Sequence, residues 1–289
     1  MAARLMGYVS ASNTPTVVAQ SAYGRATGGI GSPTAVTISG TNYEYLTFNA
    51  TGTLTVTTAG WFDYLAVGGG GGSLSFQNAS FASGGGGGGQ VVSGSIYLSA
   101  NQTITIGAGS SFFNYTTAFQ QASETTIGAA SPFNVGAVGN TVANSDTNSA
   151  PKGHVGGGTG AVGGNTAAGS ESLLIGYRGG NSGASSNGGG GGGQSARGGN
   201  GSGTTGGTGG AGYDISAFIG GSATYRAQGG GGGGSVTGGT AATGGVAGSA
   251  TTTPPNGGAN TGQGGGGGYG VLTTGNGGSG ICYIRWSVS

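Results

Sequence analysis

Uninterrupted blocks of glycine recur along this chain, at 68–72, 84–89, 188–193, 229–234 and 264–268. Glycine surrenders more backbone freedom on folding than any other residue. A block of six offers no side chain to a core and has poor helix propensity. Such blocks have two physical outcomes. They are unstructured linker, or they are backbone packed directly on backbone.

The sequence around the blocks separates these outcomes. Between residues 43 and 67, β-branched and aromatic residues alternate over short stretches (Tyr45 with Thr47, Leu46 with Phe48, Leu54 with Val56), with turns at Thr51-Gly52 and Ala59-Gly60. Three strands are expected there. Two more are expected over 90–99 and 102–106, and a last one over 281–288. That last strand puts Ile281, Tyr283 and Arg285 on one face and Cys282, Ile284 and Trp286 on the other. Strands thus flank a long glycine-rich insertion, about 153–280, which leaves a sheet and returns to it. Loops of that length without structure of their own are uncommon in a compact domain, so the insertion is expected to be structured. Collagen is excluded, because there is no strict Gly-X-Y repeat and only six prolines. The left-handed helix with three residues per turn and no internal hydrogen bonds remains open to glycine. Its N–H and C=O groups point outwards, and buried backbone must find partners. Several such helices, lacking Cβ atoms, can approach closely and bond laterally in a hexagonal bundle. Six glycines would span ~19 Å at that rise. Residues 1–40 show no clear period and read as an extended N-terminal arm or a few short strands.

Composition narrows the function. Charged residues make up 4% of the chain and the formal net charge is +1, so there is no basic footprint for nucleic acid. Apolar residues at 34% suffice for one modest core. One cysteine, Cys282, excludes an intrachain disulfide framework. The start of the chain lacks the apolar stretch of a signal peptide, and no segment is a membrane-span candidate. An extracellular-looking composition without a secretion signal raises the expectation of a particle released by lysis, a virion.

Three segments in order carry a family resemblance. They are Tyr45-Leu-Thr-Phe-Asn-Ala-Thr-Gly-Thr-Leu-Thr-Val, then Phe62-Asp-Tyr-Leu-Ala-Val-Gly-Gly-Gly-Gly-Gly, and finally Gly277-Gly-Ser-Gly-Ile-Cys-Tyr-Ile-Arg. Together with the stretch that follows 84–89, they resemble the glycine-rich domain of phage tail-fibre, adhesin and related virion proteins over about residues 43–289. The resemblance implies an all-β fold, a small antiparallel, jelly-roll-like β-sandwich carrying an inserted bundle of polyglycine II helices. It also implies that loops joining the glycine helices touch a host receptor, and the fibre analogy implies a homotrimer or attachment to a trimeric fibre. The arm at 1–40 is not explained by the family pattern.

Other motifs are weighed against plainer readings. Gly201-Ser-Gly-Thr-Thr-Gly and Gly158-Thr-Gly-Ala-Val-Gly fit a dinucleotide fingerprint, but neither follows a strand and opens a helix. The only lysine, Lys152, is in no phosphate-binding loop. A single calcium-repeat-like segment at 209–214 lacks the tandem array that motif needs. His154 and Cys282 are each unique in the chain. They are too few for a zinc site, and Cys282, among alternating apolar residues, reads as a buried hydrophobe. No catalysis, metal or cofactor is expected.

The islands that interrupt the glycine are the candidate binding residues. Tyr177, Arg178, Tyr213, Tyr225 and Arg226 are aromatic or arginine side chains of the kind that anchor recognition surfaces. The aliphatic and aromatic residues Leu173, Leu174, Ile175, Phe218 and Ile219 are expected to seat the bundle on the sandwich. Phe112, Phe113, Tyr115 and Phe119 form a further aromatic cluster. The expectation is a phage virion fibre or tip protein, docked to other virion proteins through residues 1–40. The domain at 41–289 would bind a host surface glycan or outer-membrane protein, with no nucleic-acid partner. The alternative is a purely structural virion component, a capsid decoration or a head or tail fibre without receptor binding.

Overall fold

The computed structural model describes residues 23–75, 81–111, 113–114, 121–128, 135–137, 176–183, 186–270 and 274–288. In chain order the strands are β1 (Arg25–Thr27), β2 (Thr34–Ile38), β3 (Thr41–Phe48), β4 (Gly52–Thr58), β5 (Gly60–Val67), β6 (Leu74–Ser75) and β7 (Val91–Leu98). There follow β8 (Gln102–Thr105), β9 (Phe113–Asn114), β10 (Thr125–Ile127), β11 (Val135–Ala137), β12 (Tyr213–Asp214), β13 (Tyr225–Arg226) and β14 (Ile281–Ser287). One short helix, α1 (Ser216–Ile219), lies between β12 and β13.

Ten of the strands form two five-stranded antiparallel sheets. The front sheet runs β2-β3-β14-β5-β7 and the back sheet β1-β4-β8-β10-β11. The alternation expected along 281–288 is realised. Cys282, Ile284 and Trp286 point between the sheets with Phe48, Phe62, Leu54, Ile104 and Ile127. Ile281 and Tyr283 join Leu65 and Val67 on the outer face of the front sheet. Phe62 and Trp286 meet edge to face at 5.8 Å between ring centroids, and burial of such rings dominates the stability of a core this small. The protein is all-β, a side-chain-filled sandwich from which glycine segments project.

The boundary drawn at residue 40 needs correction. β1 bonds β4 and β2 bonds β3, so residues from Tyr23 onward belong to the sandwich. These strands carry no period because both lie at sheet edges, where β2 is largely exposed and needs little apolar alternation.

The glycine segments form the bundle in backbone detail. In the segment 229–234, Gly229 and Gly232 donate to the carbonyls of Gly210 and Gly207. Gly230 and Gly233 donate to Gly86 and Ser83, and Gly231 to Val246. Its own stretch of carbonyls, from Gln228 to Gly233, accepts from Gly188 and Gly191, from Gly264 and Gly267, and from Gly239. Every third residue therefore addresses the same neighbour, which is the signature of a helix with three residues per turn. Segment 229–234 donates to three neighbours and accepts from three others, which is hexagonal packing around a helix with no side chains. A Cβ on Gly230 would strike the carbonyl of Gly265, and one on Gly191 that of Gly86. Glycine is required here by the closeness of the neighbours. The bundle is wider than the insertion, because 68–73 and 83–90, which join β5 to β7, supply two of its members.

Candidate functional site

The bundle has two ends. At its base, Val67 of β5 leads into Gly68, and Gln90 leads into β7. Gly262 bonds Gly89 there, and Gln194 accepts from the Val91 amide at 3.1 Å. The far end is marked by Ser73 and Ser83, whose hydroxyls pin Gly84 and Gly268.

All five candidate residues lie at the base. Tyr213 stands opposite Arg226, and Asp214 opposite Tyr225, in the β12–β13 hairpin. Three candidates thus share one small element. It is docked on the outer face of the front sheet, where Ile215 and Phe218 are buried against Leu65, Val67 and Tyr283, with Ile219 packed beside them. The seating role expected for Phe218 and Ile219 is therefore met. Leu173, Leu174, Ile175 and His154 lie outside the described residues, as do the side chains of Phe112, Phe113, Tyr115 and Phe119. Tyr177 and Arg178 lie on the neighbouring rim of the same end. The Tyr177 amide bonds Gly193, and the adjoining Ser195 bonds Ala211, two residues before Tyr213. Tyr177 is exposed and Arg178 half-buried.

Charge in the hairpin is used internally. The Asp214 carboxylate accepts from the amides of Ser216 at 3.0 Å and Thr224 at 2.9 Å and from the Ser216 hydroxyl at 3.0 Å. These bonds, the Ser216 amide foremost, hold its pKa below the ordinary value. Arg226 donates to its neighbour's carbonyl at 2.9 Å and to the Tyr283 hydroxyl at 3.3 Å. Burial raises the Tyr283 pKa, and Arg226 opposes that rise. Arg285 fastens the whole element. Its guanidinium lies between the rings of Phe218 (4.2 Å) and Tyr43 (4.3 Å), donates to the Phe218 carbonyl at 2.8 Å, and pairs with Asp63 at 3.1 Å. A cation held between two rings and a carboxylate is well compensated for its partial burial.

Beside this element lies an exposed aromatic row that the sequence reading did not single out. Trp61 and Tyr97 face each other across β5 and β7, ring centroids 5.8 Å apart and planes at 73°. Tyr23 bridges to Trp61. Its pKa is raised, by burial first and by Asp63 next. The available signal was Trp61 standing two residues from Asp63 on the same strand face. Phe62, which points the opposite way, obscured it.

The far end presents different chemistry. Residues 202–205, Val236, Thr237 and 251–253 are exposed there and carry no charge. Val236 is 69% exposed. Cys282 is fully enclosed and burial pushes its thiol up to about 12, so it is a thiol rather than a thiolate at neutral pH. Among the described residues no cluster of three or more His, Cys, Asp or Glu is placed to hold a metal, and no helix is long and apolar enough to cross a membrane.

A family model described as a glycine-rich domain matches residues 46–287. Comparison with curated proteins gives no match.

Proposed function

We propose that this chain, which belongs to the glycine-rich domain family, is a phage virion fibre or tip protein that binds the host cell surface non-covalently. The observation that carries this reading is the bundle itself. Its interior is held by lateral backbone bonds, so loops at its ends are held by a rigid frame that leaves side chains such as Tyr177, Tyr213 and Val236 exposed. Attachment to other virion proteins is assigned to the residues before Tyr23, because those after it are built into the sandwich. A host surface glycan or outer-membrane protein is the partner, and a trimeric assembly follows from the fibre analogy.

A second reading, a purely structural virion component, draws support from the described far-end residues, which include no charged side chain with which to fix a partner. Binding of the recombinant protein to bacterial cells, measured together with its competition against phage adsorption, separates the two. Saturable binding that blocks adsorption is expected. Absence of both across a panel of strains selects the structural reading. Rapid proteolysis throughout the bundle of the folded protein would remove the frame on which the first reading depends.

A further inference from the structure

We infer that the outer face of β5 and β7, from Trp61 to the pocket under α1, is a binding groove for a neutral oligosaccharide. The inference rests on the proposed surface-binding function and locates it on the sandwich.

The face is built in successive rows. The first holds Tyr97, Trp61 and Tyr23, which are 40%, 42% and 38% exposed. Exposed aromatics in one group are unusual unless something covers them. Trp and Tyr offer flat apolar faces with a polar tip, which suits the mixed surface of a pyranose. Two residues further along β5, the next row is polar. The Ser95 hydroxyl donates to Asp63 at 2.7 Å, and Arg285 donates to the other carboxylate oxygen at 3.1 Å. These groups are already oriented by one another, so a ligand hydroxyl would meet fixed donors and acceptors. Leu65 and Ser93 follow, and with Tyr213, Asp214, Ala217 and Phe218 they line a pocket of about 140 Å³. From Trp61 to Leu65 is four residues of strand, about 14 Å. That length suits a short oligosaccharide better than a single ring.

Charge selects the class of sugar. Asp63 and Arg285 neutralise one another. Asp214, at the pocket, brings a negative charge, and the Arg226 guanidinium is turned to its own strand and Tyr283. Among the described residues that line the groove, no cation is left unpaired to receive an acidic sugar. A flat apolar protein partner is disfavoured by the polar row in the middle, whose groups it would bury.

Tryptophan fluorescence reads this out in the full-length protein. The chain has two tryptophans, and Trp286 is buried at 1% exposure, so a ligand-induced change reports Trp61. The probes are neutral hexose and N-acetylhexosamine trisaccharides, with a sialylated trisaccharide as contrast. Saturable change with a neutral probe is expected in the wild type. Affinity in the variants is read by titration calorimetry, because Trp61→Ala removes the reporter; it should fall about tenfold or more in Trp61→Ala and in Tyr97→Ala, and be weaker for the sialylated probe. Retained burial of Trp286 in both variants certifies their fold. Unaltered affinity in both variants overturns the inference, as does absence of any response to the neutral probes. So does failure of a soluble quencher to reach Trp61, which would mean that another part of the protein covers the face. Cell binding that persists in Trp61→Ala overturns this groove and leaves the proposed function standing. Oligosaccharide binding without cell binding does the reverse.

Discussion

In the sandwich, Leu46, Phe48, Phe62 and Trp286 are sealed between two sheets by their own side chains. In the bundle, residues 229–234 are equally buried and bring no side chains at all. The first interior gains stability from apolar area removed from water, which is non-directional. The second gains it from hydrogen bonds worth about 1 kcal/mol net each, which are directional and short in reach. A side-chain core adapts to altered shape by moving rotamers. A backbone core has no rotamers to move. The two regions should therefore fail by opposite changes, the sandwich on loss of atoms and the bundle on gain of them.

The largest effect tests the sandwich. Phe62→Ala should lower stability by about 3–5 kcal/mol in denaturant unfolding, whereas Leu46→Met, which keeps volume, should stay under about 1.5 kcal/mol. Next comes the bundle. Gly230→Ala adds one methyl group where the Gly265 carbonyl stands, and should lower stability by about 2–3 kcal/mol. A loss below about 0.5 kcal/mol would show that the bundle yields like an ordinary core. Thiol labelling sharpens the contrast, because Cys282 lies wholly inside the sandwich. If Gly230→Ala opens the bundle to protease while Cys282 stays unreactive, the regions unfold separately.

A smaller, local effect concerns the hairpin that joins the two regions. The Asp214 pKa is lowered in the fold, so its stabilising bonds are fully present above the unfolded value near 4 and are lost as pH falls through the lower folded value. The Ser216 and Thr224 amide resonances should titrate together in that acidic window, and Asp214→Asn should abolish the titration. Titration at or above the ordinary aspartate value would contradict the bonding described. The smallest effect is Gly52→Ala. A Cβ there would have its nearest neighbour, Phe48, at 3.8 Å, so the change should fall within about 0.5 kcal/mol of wild type. Glycine's necessity is thus a matter of position within the same molecule.

Much of this contrast could be read from sequence. Alternation placed the strands at 43–67 and 281–288 because one face of each must be apolar. The glycine blocks implied a backbone core because nothing else could bury them. Edge strands β1 and β2 were legible only as an arm or a few short strands, and their membership of the sandwich was not, because their pairing partners rather than their own pattern decide their place. The candidate site was legible in residue type and not in use. Arg226 is spent on Tyr283, and Asp214 on its own hairpin. No local pattern foretells a bond between residues 226 and 283. Trp61 and Tyr97 become neighbours only once β5 and β7 pair in register.

The position of β14 bears on how the molecule is made. It lies between β3 and β5 in the front sheet, yet in the chain it follows the whole bundle. As the polypeptide emerges from the ribosome, β3 and β5 must wait with a vacant lane between them. The glycine segments gather meanwhile beside an unfinished sheet. Non-local closure of this kind is slow, and the waiting edges are exposed to wrong partners. A chain interrupted anywhere in the bundle would lack the strand that supplies Cys282, Ile284 and Trp286 to the core. Arrival of that strand makes closure of the fold a check that the glycine tract has been translated in full.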